Sequence, residues 1–216
     1  MQENASHVIS LPLFTSTSAV TMTGASTGNK LLTGGTGADS ITVVAAGADT
    51  IIGGQGNDVI SLTATSGVVD VIRFANGTGT AGIAGATSLG SDTITFFTGG
   101  TDDLEFSEAT FGNLNGAADV AALDQTQVVV LADLTTALNT ANAQIDTAGA
   151  ITVTNGAFAV VGTNAATNTV ALYYIASTAT VTHTVTQALA AGTAVKIADI
   201  GLVGSALVLT DFVGIA

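Results

Sequence analysis

Two copies of one glycine-aspartate pattern constrain this chain more than any other feature. Residues 34–61 read GGTGADSITVVAAGADTIIGGQGNDVIS, and the form GGxGxDxU, with U a large apolar residue, occurs twice. The first copy is Gly34, Gly35, Gly37, Asp39 and Ile41, and the second is Gly53, Gly54, Gly56, Asp58 and Ile60. A weaker copy, Gly47, Asp49 and Ile51, lies between them, so the aspartates stand at 39, 49 and 58. A repeat of this length has a mechanical meaning. Its glycine half makes a turn that uses backbone angles other residues resist, and its xUx half makes a short strand with one apolar side chain turned inward. Two such units complete one coil. Units one apart lie on opposite faces and units two apart stack, which puts the turns of Asp39 and Asp58 on the same side.

Calcium takes about 6–8 oxygen ligands at about 2.3–2.6 Å, from carboxylates and backbone carbonyls. Stacked turns offer both kinds: carboxylates from Asp39 and Asp58, and carbonyls around Gly35, Gly37, Gly54 and Gly56. A calcium ion is therefore expected between them. On these residues the stretch resembles the RTX family of repeat proteins, which bacteria export through type I systems. The plainer alternative is a Gly/Asp-rich turn array without metal.

Flanking copies are less regular. Asp49 has Val44 and Ala45 in place of the double glycine. Its expected stacking partner is Asp70, one longer coil away, with a second and weaker calcium between them. Asp92 in GSDTITFF repeats GxDxU after an insertion, residues 76–89, that should map to a surface loop. On the N-terminal side Gly28 and Leu32 frame Lys30 where an aspartate would stand. A lysine cannot coordinate calcium, so Lys30 is expected to cap the open end of the roll and blunt its edge. Residues 92–112 resemble the segment that closes RTX rolls. Phe96, Phe97, Leu104, Phe106 and Phe111 would cover the end of the core, while Asp102, Asp103 and Glu105 either hold a further calcium or form a solvated turn.

Charge supports a cation-binding reading. Of 16 acids 13 are Asp, against three Lys and Arg, and the net charge is −13. Such a surface suits a divalent cation and makes nucleic acid and anionic membranes poor partners. Nine of the acids fall between residues 39 and 108. Without counter-ions that segment repels itself, so calcium binding becomes part of its folding free energy. With 47% hydrophobic residues, the chain can still bury a core.

There is no cysteine, hence no disulfide framework or thiolate site. No Lys or Arg precedes Lys30 and the apolar run 8–14 is broken by Pro12, so no secretory leader is expected. No apolar stretch is long enough to insert in a membrane. The resemblance implies export by the type I secretion machinery, read from an uncleaved C-terminal signal.

After Phe111 the period disappears. Residues 115–123 and 130–145 have apolar residues at helical spacing. Residues 150–153, 158–161 and 169–175 read as strands. The last segment resembles the ending of RTX and related surface proteins, with strands at 172–174 and 195–200 and a terminal acid plus apolar residues at 211–215. One departure is the loop at 177–186, which is apolar and threonine-rich and should not bind calcium. His7 and His183 belong to no zinc-binding pattern. There is no nucleophile elbow and no phosphate loop in a strand-to-helix context. Tyr173 and Tyr174 read as a strand pair of which one packs inward.

The expected fold is mainly β: N-terminal strands in 1–23, a parallel β-roll over 24–112, and a β-rich domain over 113–216 with one or two short helices. The metal ligands are expected among Gly35, Gly37, Asp39, Asp49, Gly54, Gly56, Asp58, Asp70 and Asp92, with Ca2+ as cofactor. The expected role is a non-catalytic, secreted structural module of a cell surface or surface layer, partnered by calcium, by copies of itself or by surface polysaccharide. Two alternatives stand beside it. One is the carrier tail of a secreted hydrolase. The other is an adhesin or ice-binding module, which needs a flat, regular threonine array where the sequence shows scattered threonines.

Overall fold

The computed structural model describes residues 7–10, 19–24, 28–44, 47–63, 67–79, 81–112, 121–122, 128–130, 151–153, 157–164, 168–175, 181–183, 194–205, 207 and 211–215. The protein is mainly β. In chain order the first strands are β1 (His7–Ser10), β2 (Thr21–Gly24), β3 (Lys30–Thr33), β4 (Ser40–Val43), β5 (Thr50–Ile52), β6 (Val59–Ser61) and β7 (Val71–Phe74). Helix α1 (Ile83–Leu89), β8 (Asp92–Phe97), β9 (Asp103–Ser107) and the one-turn helix α2 (Glu108–Phe111) follow. The remaining strands are β10 (Ala121–Ala122), β11 (Val128–Val130), β12 (Ile151–Val153), β13 (Ala157–Asn164), β14 (Thr169–Ile175), β15 (Val181–His183), β16 (Ala194–Leu202) and β17 (Phe212–Ile215).

From β1 to β9 the chain alternates between two sheets. Odd strands stack in the order β1-β3-β5-β7-β9, even strands in the order β2-β4-β6-β8, and every one of these pairings is parallel. This is the alternation a roll requires, and within the repeats it follows from the sequence: a glycine turn follows β3 (Lys30–Thr33) and β5 (Thr50–Ile52) after three or four residues and sends the chain across. Register puts one inward residue of each strand in line. Leu32, Ile51, Ile72, Leu104 and Phe212 form one column. Met22, Ile41, Ile60, Ile94 and Ile200 form the other. All ten are buried, and burying each such side chain contributes about 1.5–3 kcal/mol.

Phe212 and Ile200 come from the C-terminal half, because β16 pairs in parallel with β8, and β17 with β9. The division expected at residue 112 therefore does not coincide with a break in either sheet. The strands read at 150–153, 158–161 and 169–175 correspond to β12, β13 and β14, with β14 antiparallel to both β13 and β16. An aromatic cluster sits where the halves meet. Phe106 stacks on Phe74 at 5.3 Å and lies 3.9 Å from Phe158 and 6.1 Å from Phe212, centroid to centroid.

Four expectations change. The insertion at 76–89 is not only surface loop, since it contains α1, whose Ala86 and Leu89 are buried. Phe96 does not cover the core: it is 44% exposed with φ 65°, and Phe97 takes the inward place. Of the helical stretches expected at 115–123 and 130–145, only 121–122 and 130 are described, and they lie in β10 and β11; the rest lies outside the described residues. Lys30 is not at the open end, because β1 pairs outside β3 with His7 opposite it. Of the tyrosines, Tyr174 packs inward, as the alternation of its strand implies, and its hydroxyl donates to the Phe111 carbonyl.

Candidate metal centre

Each aspartate of the repeat sits at the end of a turn, just before its strand or, for Asp92, as the first residue of β8, where alternation points its side chain inward. Register then stacks these residues into two columns. Ser40 pairs with Val59, and Val59 with Thr93, so Asp39, Asp58 and Asp92 stand in line. On the other side Leu31 pairs with Thr50, Thr50 with Val71 and Val71 with Asp103, which lines up Lys30, Asp49, Asp70 and Asp102. All seven side chains are buried, with residue exposures from 0 to 4%. Asp70 is thus the stacking partner of Asp49, despite the longer coil between them.

One carboxylate oxygen of each aspartate accepts a hydrogen bond from the coil before. Asp39 N–H donates to Asp58 Oδ1 at 2.7 Å and Asp58 N–H to Asp92 Oδ1 at 3.0 Å. Asp49 N–H donates to Asp70 Oδ1 and Asp70 N–H to Asp102 Oδ1, both at 3.0 Å. Val20 N–H donates to Asp39 Oδ1, and Lys30 N–H to Asp49 Oδ1. Hydrogen bonds to a charged partner contribute about 1.5–3 kcal/mol each, so the columns are staples as well as candidate ligands.

The second oxygens differ. Asp39 Oδ2 accepts from Gly35 N–H at 2.7 Å and Asp102 Oδ2 from Thr98 N–H at 2.8 Å. Asp49 Oδ2 and Asp58 Oδ2 are buried and have no hydrogen-bond partner. A buried acceptor left unsatisfied costs about 1–3 kcal/mol, more when charged. Such an oxygen has the free lone pairs and the hardness that a cation such as calcium takes as a ligand.

The glycine turns before Asp39 and Asp58 pack backbone against backbone. A Cβ added at Gly56 would lie 2.6 Å from the Gly37 carbonyl oxygen, and one at Gly54, where φ is 104°, would collide with that of Gly35. At Gly53 an added Cβ would collide with Asp58 Oδ2 itself. Only glycine lets the backbone come this close. The donor set is oxygen throughout, carbonyl and carboxylate, which fits calcium rather than a thiophilic metal. Among the described residues no three carboxylate or imidazole side chains converge on one point. A cation here would accordingly draw one or two carboxylates and take its remaining oxygens from the turns.

Electrostatics points the same way. Burial pushes the Asp58 carboxyl up to about 7, with the Asp39 charge adding to the rise and the Asp39 N–H opposing it. Burial likewise lifts Asp92 to about 8 and Asp70 to about 6, and raises Asp102. The chain has only three basic side chains of Lys and Arg, and each is paired: Lys30 with Asp49, Arg73 with Glu105, Lys196 with Asp199.

Asp102 was legible only as one of three acids, and strand alternation separates them. Asp102 points into the column, whereas Asp103 and Glu105 alternate with the buried Leu104 and Phe106 of β9, so the three do not share a cation. Its column position could have been found from Gly100, which stands two residues before it as Gly37 and Gly56 stand before Asp39 and Asp58. Compared with known proteins, the chain matches no family model, no curated protein and no solved structure.

Proposed function

We propose that this chain is a non-catalytic calcium-binding module of RTX type, which folds on calcium outside the cell after type I secretion and serves as a structural part of a cell surface or surface layer. One observation carries the reading. Two columns of buried aspartates include orphaned oxygens on Asp49 and Asp58, in a chain whose three Lys and Arg side chains each already face a carboxylate. The even column of Asp39, Asp58 and Asp92 needs a positive charge that the protein does not supply from those residues. In calcium-poor cytosol the carboxylates repel and the turns stay open, so the chain remains fit for export. At the millimolar calcium of an extracellular medium, a dissociation constant of about 10⁻⁴–10⁻³ M suffices to close them.

Circular dichroism during a calcium titration, together with a calcium count on the folded protein, tests this. Strand signal should grow with calcium and saturate with bound ions. Identical spectra in chelator and in millimolar calcium, with no bound ion, reject it.

A second reading rests on the outer face of the even sheet. Register lines up Thr21, Ser40, Val59 and Thr93 in one rank and Thr23, Thr42, Ser61 and Thr95 in the next. Five threonines that look scattered in sequence thus fall into two ranks with Ser40 and Ser61, interrupted by Val59 and spaced by the strand separation of about 4.8 Å. This is the kind of array an adhesin or ice-binding module needs. Ice crystals that grow without faceting in the presence of the folded protein exclude the ice-binding form of it.

A further inference from the structure

Lys30 takes, in the first turn of the odd column, the place that aspartate takes in the turns after it. A Cβ added at Gly34 or Gly53 would run into a carboxylate oxygen, of Asp39 or Asp58 respectively. At Gly24 the corresponding space is filled by the Lys30 side chain, whose Cε lies 2.8 Å from the position of an added Cβ. That side chain is 1% exposed. Its ammonium donates to the Gly28 carbonyl at 2.8 Å and lies 3.1 Å from Asp49 Oδ1 in the next coil. A turn carbonyl from one coil and a carboxylate from the next are the two oxygen types a calcium would draw on between stacked turns.

We propose that the Lys30 ammonium is the resident cation of this turn: a covalently attached counter-ion that makes the first junction of the odd column independent of metal. The inference rests on the calcium reading above and says which junction of the columns takes no ion. Burying an ammonium without a partner is costly, and so is leaving Asp49 alone. Together they neutralise one another where no free ion is needed. The junction between β3 and β5 therefore needs no metal once the strands are paired, and calcium acts on the later turns. This role replaces the edge-blunting one expected from the sequence, which would require the side chain to face solvent.

The test uses the full chain in millimolar calcium, with thermal unfolding and a calcium count by native mass spectrometry. Lys30→Met and Asp49→Asn should each lower Tm, and the double variant should lose clearly less than the sum, because it leaves no buried charge unpaired. Lys30→Met should keep the wild-type calcium count, while Lys30→Asp should add one ion and regain with calcium the stability it loses in chelator. Additive losses in the double variant, or an unchanged count in Lys30→Asp, overturn the inference. A wild-type protein that binds no calcium sinks the function proposed above instead. In that case the coupling between Lys30 and Asp49 still decides whether the ammonium is the built-in cation.

Discussion

The backbone N–H of Asp39 donates to the Oδ1 of Asp58 at 2.7 Å, while the Oδ2 of the same Asp58 is buried without a partner. One carboxylate thus staples two coils together with one oxygen, and the other is the one the proposed calcium would take. The two functions are separable by mutation, because a staple acts with or without metal and a ligand acts only with it.

Asp58→Ala removes both. In chelator, or at low pH if the chelated protein is unfolded at neutrality, where the buried Asp58 carboxyl is protonated, the lost hydrogen bond should cost about 0.5–1.5 kcal/mol; in calcium the loss should be larger and the affinity should fall at least tenfold. Asp199→Ala is the control, because its ion pair with Lys196 is about one-third exposed on each side and such pairs contribute about 0–1 kcal/mol. Isothermal titration and thermal unfolding of the two variants decide it, and equal effects would count against the stacked-turn site.

Gly54→Ala forces a side chain onto φ 104° and into the Gly35 carbonyl, which accepts the Gln55 N–H. Backbone strain of this kind costs on the order of 1–3 kcal/mol, and displacing that carbonyl should also weaken calcium binding. Gly67→Ala has a comparable φ of 63° with open space around it. It should show the strain, about 1–2 kcal/mol, with calcium affinity unchanged. Calorimetric titration of both variants separates the two effects.

Folded-state pKa values of about 6, 7 and 8 for Asp70, Asp58 and Asp92 exceed the unfolded value of about 3.9. The metal-free fold binds protons that the unfolded chain releases. Its stability from these groups is complete below about pH 4 and is lost as pH rises through 6–8. With calcium the direction reverses, since protons compete for the same oxygens. Thermal unfolding at pH 5 and pH 8 should show higher Tm at pH 5 in chelator and a calcium-induced rise that is larger at pH 8. A chelated protein equally stable at both values would contradict the burial argument.

Phe212→Ala removes a fully buried ring that continues the column of Leu104 and lies 6.1 Å from Phe106. A buried Phe→Ala change costs about 3–5 kcal/mol. The loss should be visible in the unfolding of the repeat itself, followed by hydrogen exchange of the β7 and β9 amides. Protection of those strands that survives the substitution would mean that β17 is merely appended.

The repeat was readable because its chemistry is local. Spacing gave the stacking of Asp39 on Asp58, and the shared inward place gave Ile41 over Ile60. The partnership of Asp49 with Asp70 could be inferred too, although the coil between them breaks the period. Asp92 and Asp102 were harder, since 34 and 32 residues separate them from the residues they clamp. Asp102 could be placed in the column only by pairing β9 with β7. Thr23, Thr42 and Ser61 stand one coil apart, at the same 19-residue step as Asp39 and Asp58, and only the pairing of β8 with β6 adds Thr95 to their rank.

By itself the sequence determined the coil: glycine turns that only glycine can make, one inward apolar residue per strand, and an aspartate at a fixed offset from both. Those are rules about a residue and its near neighbours, and a periodic chain writes them in plain view. Tertiary structure alone decided that β16 and β17 complete the two sheets, that Lys30 is enclosed and paired with Asp49, and that the orphaned oxygens belong to Asp49 and Asp58. Each of these depends on which distant strands lie side by side. Hydrogen bonding and burial set that through space, and no pattern along the chain encodes it locally.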